Sequence, residues 1–190
     1  MFQLAVAHKL ASGIVEMLKP HCEKIHIAGS VRRKKPFVKD IEIACQPKEA
    51  VCKDMFGWDE GVIRDLDFAR IIENELGHVL KGNSDGRYMQ ILLAQDINLD
   101  LFMPEPHDFY RQFAIRTGSA DYSQKVIATG WNKLGWVGTE YGLRRRGDCE
   151  FVSEKWRVLN KNGEKPPVWE SEEDFFKWLN ILWIEPEKRY

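Results

Sequence analysis

The 190-residue sequence has almost no net charge, with 28 Lys and Arg against 29 Asp and Glu. A chain that grips nucleic acid over its whole surface usually carries a clear basic excess, so any polyanion-binding face must here be local. Cysteine is scarce: Cys22, Cys45, Cys52 and Cys149 show no CxxC spacing. That argues against a secreted disulfide scaffold and suits a reducing compartment. No apolar run reaches the roughly 20 residues that a membrane helix needs. The apolar stretch 1–18 is broken by Lys9 and Glu16, and no cleavage-site pattern follows it, so neither a signal peptide nor an anchor is expected. Internal repeats and low-complexity tracts are also missing, which removes solenoids and disordered linkers. A cytoplasmic, monomeric protein is the expectation.

Charge is present in blocks. The segment from Arg111 to Lys165 is net basic, whereas 54–75 is acidic, with Asp54, Asp59, Glu60, Asp65, Asp67, Glu73 and Glu75 against Arg64 and Arg70. Such asymmetry suits a molecule with one face toward a polyanion, although a charge run is also what a solvated surface looks like. Hydrophobic spacing then supplies the elements. Leu4, Ala7, Leu10, Ala11, Ile14, Val15 and Leu18 recur at helical intervals up to Pro20. Segments 24–28 and 39–45 alternate as strands, 66–76 has a helical stripe, and 88–94 and 97–103 read as two strands joined by a hairpin at Gln95-Asp96. Helices are expected over 108–116 and 119–134. Beyond them lie short aromatic strands around Trp136, Tyr141, Phe151 and Trp156, a turn at Asn162-Gly163, and a helix opened by Ser171. The class is α+β with a mixed sheet, divided near Pro106 into 1–106 and 107–190.

Three carboxylates fit a purely structural role badly. Asp40 and Glu42 lie two apart on a strand whose other face is Ile41 and Ile43, and Asp100 sits among Leu99, Leu101 and Phe102 in another. Aspartate is depleted in strands. If the strands are neighbours, three carboxylates share one sheet face, where repulsion raises their pKa unless cations are bound, and clustered oxygens are what Mg²⁺ takes. Spacing alone leaves open an exposed face with surface lysine pairs. Upstream, a strand ends in Gly29-Ser30 at a helix start, offering backbone N–H groups and a hydroxyl to phosphates. Arg32, Arg33, Lys34 and Lys35 follow. The tryptophans are assigned mainly to a core, and His78 and His107 to structural or exposed positions.

Taken together, Ile27-Ala28-Gly29-Ser30-Val31-Arg32-Arg33, Asp40-Ile41-Glu42, Leu99-Asp100-Leu101, Arg116-Thr117-Gly118-Ser119, Glu140-Tyr141 and Trp183-Ile184-Glu185-Pro186 with Arg189 resemble the signature of family X DNA polymerases. The resemblance implies a nucleotidyltransferase palm over 1–106, followed by a small α+β thumb over 107–190. It also implies a DNA-directed DNA polymerase of the gap-filling, repair type that adds dNTPs to a primer. On that model Asp40, Glu42 and Asp100 bind Mg²⁺, or Mn²⁺, and Asp100 assists deprotonation of the primer hydroxyl. Gly29, Ser30 and Arg33 hold the triphosphate, Thr117 and Gly118 contact the sugar, and Ser123 lies beside the base. Lys125, Arg144, Arg145 and Arg146 meet the DNA. Two positions depart from the pattern: the family usually has Asp where Glu42 stands, and commonly an aromatic residue where Arg116 stands. About two dozen residues precede Gly29, too few for the family's lyase domain, so lyase activity is not expected. A small-molecule nucleotidyltransferase and a catalytically weakened nucleic-acid binder are the alternative readings.

Overall fold

The computed structural model describes every residue except Asp54 and Gly57, and only the backbone of Ala50, Cys52, Lys53, Asp59 and Glu60. The charges expected at Asp54, Asp59 and Glu60 and the thiol of Cys52 therefore lie outside the described side chains. Cys22, Cys45 and Cys149 are free thiols.

A two-residue strand, β1 (Phe2–Gln3), leads into α1 (Leu4–Leu18). Ala7, Ala11, Ile14 and Leu18 form the buried stripe of α1, and Pro20 turns the chain through a single 3-10 turn into β2 (Cys22–Ile27). One helical turn, α2 (Gly29–Arg32), and the short β3 (Phe37–Val38), which pairs with β1, precede β4 (Asp40–Pro47). A hairpin of β5 (Glu49–Lys53) and β6 (Asp59–Arg64) follows. Then comes α3 (Leu66–Arg70), capped by the Asp65 carboxylate on Phe68 N–H and extended by a π-helical turn, Ile71–Glu75. Strands β7 (Gly77–Gly82), β8 (Tyr88–Leu93) and β9 (Asn98–Phe102) complete this half.

The five-stranded sheet runs β2-β4-β9-β8-β7, with β4 and β9 parallel and the other neighbours antiparallel, so it is mixed as expected. Period-two alternation decides its faces. Ile41, Ile43, Leu99, Leu101, Met89 and Ile91 enter one core with α1 and α3. The opposite face carries Asp40, Glu42 and Asp100. There α4 (Phe109–Thr117) crosses, setting Phe109 and Phe113 on Ala28 and Ala44.

The second core is built by α4 through Ala114, by α5 (Ala120–Tyr122) and α6 (Thr129–Lys133) with a π-helical stretch between them, and by α7 (Glu172–Trp178). The antiparallel pair β10 (Trp136–Thr139)/β11 (Gly142–Arg145) adds Trp136 and Leu143, and a second antiparallel pair, β12 (Cys149–Val152)/β13 (Lys155–Val158), lies outside this core. Trp131, Trp136 and Trp169 are buried in this core, with Trp136 edge to face on Trp178 and Trp169 on Phe175, because a module this small needs large side chains to exclude water. Helix α4 thus packs on the sheet face opposite the first core and also enters the second core, and the boundary expected at residue 106 falls just before it.

Candidate active site

The parallel register sets Glu42 directly opposite Asp100 and Asp40 opposite Asn98. All three carboxylates project from the sheet face that α4 leaves open, at its edge. Asp100 accepts hydrogen bonds from the Tyr88 hydroxyl at 2.7 Å and from Gln90 Nε2 at 2.9 Å, both on β8, where Gln90 is its direct cross-strand partner. Burial, with help from Asp100, pulls the Asp40 carboxyl above the usual carboxylate range. Glu42 is pushed up to about 7, first by burial and then by Asp40 and Asp100, against the opposing pull of Arg33 and Arg116. Burial and the bond to Asp100 raise the Tyr88 phenol to about 12.

Strand β2 delivers Gly29-Ser30 alongside this face, since Ala28 N–H bonds to Glu42 O at 2.8 Å. Gly29 is left-handed at φ +60°, and a Cβ there would lie 1.9 Å from Glu42 Oε2. Only glycine fits, and the Glu42 carboxylate packs against the turn itself. Among the described residues, the one group of three carboxylate or imidazole ligands whose donor atoms all lie within 4.8 Å of each other is instead His21, Asp65 and Asp67, away from this face. Arg33 reaches across the turn and donates through Nη1 to Thr117 O, filling the space that a Cβ on Gly118 would take. Two polar atoms here are buried without a hydrogen-bond partner, Ser30 Oγ and Arg33 Nε. Buried polar atoms are rarely left unpaired. A backbone turn, an orphaned hydroxyl, an orphaned guanidinium N–H and three carboxylates form a donor set that fits a cation-bound phosphate chain.

Arg32, beside Arg33, points the other way. Its guanidinium makes a fork with Glu172 of α7 at 2.9 and 2.8 Å, bonds Thr117 Oγ1 at 2.6 Å, and lies over the Phe113 ring. Arg189 adds a second fork on Glu172 at 2.8 and 3.0 Å, and Trp183 Nε1 a fifth donor at 2.8 Å. These donors outweigh the burial of the Glu172 carboxyl and hold it down at about 2.

The other expected residues are dispersed. Ser123 donates to Ile115 O at 2.9 Å within the helical stretch. Lys125 is exposed and paired with Asp121, Arg145 is forked onto Glu164, and Arg146 is exposed. Arg144 is only 8% exposed and donates to Leu143 O, so it offers little surface to a ligand. Arg116 lies over the Phe102 ring at 4.1 Å, facing Glu42. Sequence reasoning did not single out Tyr88, Gln90 or Glu172. The alternation of β8 carries a signal for the first two, because Tyr88 and Gln90 fall on its less buried face.

The fold is a mixed five-stranded sheet followed by a compact α+β module. Residues 113–190 match the family model of the DNA polymerase beta thumb. Among solved structures, the crystal structure of Leishmania infantum polymerase beta in a ternary P/T complex is similar, with a TM-score of 0.63 at 16% identity. The match covers 100% of this chain and 76% of that one. No curated protein sequence matches. The chain is accordingly polymerase beta-like in fold along its length, and residues 113–190 carry the match to the thumb model. Among the described residues no helix is long and apolar enough to cross a membrane.

Proposed function

We propose that this chain is a DNA polymerase of the gap-filling type, transferring a nucleotide from a dNTP to a primer 3′-hydroxyl. The observation that carries this reading is the β4/β9 register, which gathers Asp40, Glu42 and Asp100 beside Gly29-Ser30 and Arg33. In phosphoryl transfer the protein mostly positions reactants and neutralises charge. Asp40, Glu42 and Asp100 would hold two Mg²⁺ or Mn²⁺ ions, which acidify the attacking hydroxyl and steady the departing pyrophosphate. Asp100, oriented by Tyr88 and Gln90, accepts the primer proton. Gly29 N–H, Ser30 Oγ and Arg33 bind the triphosphate. The Thr117-Gly118 backbone meets the sugar, Ser123 lies near the base, and Lys125, Arg145 and Arg146, with Arg144 behind them, face the DNA. Phosphate contacts along this surface should make DNA binding weaken steeply with salt.

One observation favours a second reading, a weakened enzyme that mainly binds nucleic acid. Glu42 packs on Gly29, and the oxygens of Asp40, Glu42 and Asp100 do not all lie within 4.8 Å of one another. Mg²⁺ tolerates displaced ligands poorly, so a preference for Mn²⁺ follows if Glu42 stays there. Primer extension on gapped DNA with each cation, with Asp40→Ala as control, separates the readings. Incorporation that depends on Asp40 supports the polymerase. Binding without incorporation under either ion supports the second reading. Incorporation that survives Asp40→Ala sinks the site assignment.

A further inference from the structure

Two concave surfaces meet at the β10–β11 turn. One is a cavity of about 240 Å³ between sheet and thumb, lined by Tyr88, Phe102, Gln112, Arg116 and Tyr141 among others, and it adjoins Asp100 through the Tyr88 hydroxyl. The other is a groove of about 450 Å³ between that turn and the β12–β13 hairpin, lined on the hairpin side by Val152, Glu154, Lys155, Trp156 and Arg157. Thr139 and Glu140 line both, so the groove continues outward from the active-site edge.

The aromatic residues of the hairpin, Trp156 in the groove and Phe151 beside it, do not build the thumb core, which is made of other side chains. Phe151 and Trp156 are a cross-strand pair with ring centroids 5.1 Å apart, and Phe151 remains 60% exposed. Arg146 lies over the Trp156 ring at 5.8 Å. Lys155 and Arg157 are exposed on either side of Trp156, and the nearest carboxylate to Arg157, that of Glu150, is 3.8 Å away. Between residues 143 and 165 seven Lys and Arg face four Asp and Glu. An exposed ring, Phe151, and a half-buried one, Trp156, set among cations form a surface that stacks bases and tracks phosphates without reading sequence. A paired duplex hides its base faces, so only an unpaired strand can use the rings.

We infer that this groove binds single-stranded nucleic acid, namely the unpaired nucleotides that continue from the strand held at the active site. Bases stack on Trp156 and Phe151, and phosphates lie along Lys155, Arg157 and Arg146. The placement of that strand rests on the polymerase reading; the single-strand preference itself does not.

The test compares anisotropy of the full chain bound to a labelled primer–template carrying an unpaired extension of about ten nucleotides, within the span that one small fold grips, and to a blunt duplex of equal paired length. One stacking contact predicts roughly tenfold tighter binding of the extended DNA. Trp156→Ala and Phe151→Ala should each reduce that preference severalfold, with Trp156→Phe restoring most of it. Phe151 is exposed enough that its removal leaves the hairpin folded, which circular dichroism verifies. Equal affinity for the two DNAs, or a preference untouched by both alanine variants, overturns the inference. A Trp156-dependent preference in a chain that incorporates no nucleotide would retire the polymerase reading and leave the groove standing.

Discussion

Replacing Glu172 by Gln tests whether the buried clasp among Arg32, Glu172 and Arg189 holds the two halves together. The carboxyl titrates at about 2 in the folded chain, against about 4.3 in an unfolded one. That difference of roughly two units corresponds to about 3 kcal/mol of folding stability. The folded pKa is depressed, so this stability is complete above about pH 5 and is lost as pH falls toward 2. Removing the charge at pH 7 leaves two guanidinium groups without their counter-ion, Arg189 fully buried and Arg32 partly so. Removing one partner of a buried ion pair costs about 3–5 kcal/mol, in the same range. Urea melts at pH 7 should show the midpoint of Glu172→Gln lowered by about 1–2 M, given slopes of about 2–3 kcal/mol/M for a chain of this size. The gap between wild type and variant should then close as pH falls from 5 to 2. A loss below about 1 kcal/mol, or a gap that stays constant through that range, would refute the reasoning.

Other perturbations follow from the site. Glu42 has a raised pKa of about 7, so in the absence of divalent cations its ionisation destabilises the fold as pH rises from about 4.5 through 7. Glu42→Gln should therefore melt higher than wild type at pH 8 in chelator, by up to about 3 kcal/mol, and show no advantage at pH 4; a variant that melts lower at pH 8 would count against it. Gly29→Ala meets both a left-handed φ and the Glu42 carboxylate, and should cost about 1–3 kcal/mol in thermal melts together with most nucleotide affinity. Wild-type values for either would show that the turn is not the phosphate cradle. Tyr88→Phe removes one of two side-chain donors to Asp100 and should slow single-turnover incorporation roughly tenfold, about 1.4 kcal/mol, with dNTP affinity retained. An unchanged rate would leave Tyr88 without a role in orienting Asp100.

The helical stripe of α1 and the alternation of β4 and β9 were legible because burial on one face leaves a periodic trace. Strand β7 left none: its residues are mostly exposed at the sheet edge, and nothing apolar repeats. The β5–β6 hairpin escaped for a related reason, since it pairs only with itself, outside the main sheet. The helices expected over 66–76 and 119–134 are real but contain π-helical stretches, a change of hydrogen-bond step that side-chain spacing records weakly. At the site, local motifs announced the three carboxylates and the Gly-Ser turn. The contact of Glu42 with Gly29 and the burial of Arg144 depend on how β4 meets β2 and how β11 meets its neighbours. No single window of sequence contains either pairing.

Adjacent residues of one helical turn face opposite tasks: Arg33 braces the Thr117-Gly118 backbone from the palm side, while Arg32 is anchored to α7 and Arg189. A thumb grafted from another protein would have to bring its own acidic anchor at the place of Glu172, or the phosphate turn would inherit an unmatched buried cation. The halves are therefore poor candidates for recombination as separate modules. Drift in the last turn of the chain should leave its mark at the Gly29-Ser30 turn, through a single carboxylate shared by Arg32 and Arg189.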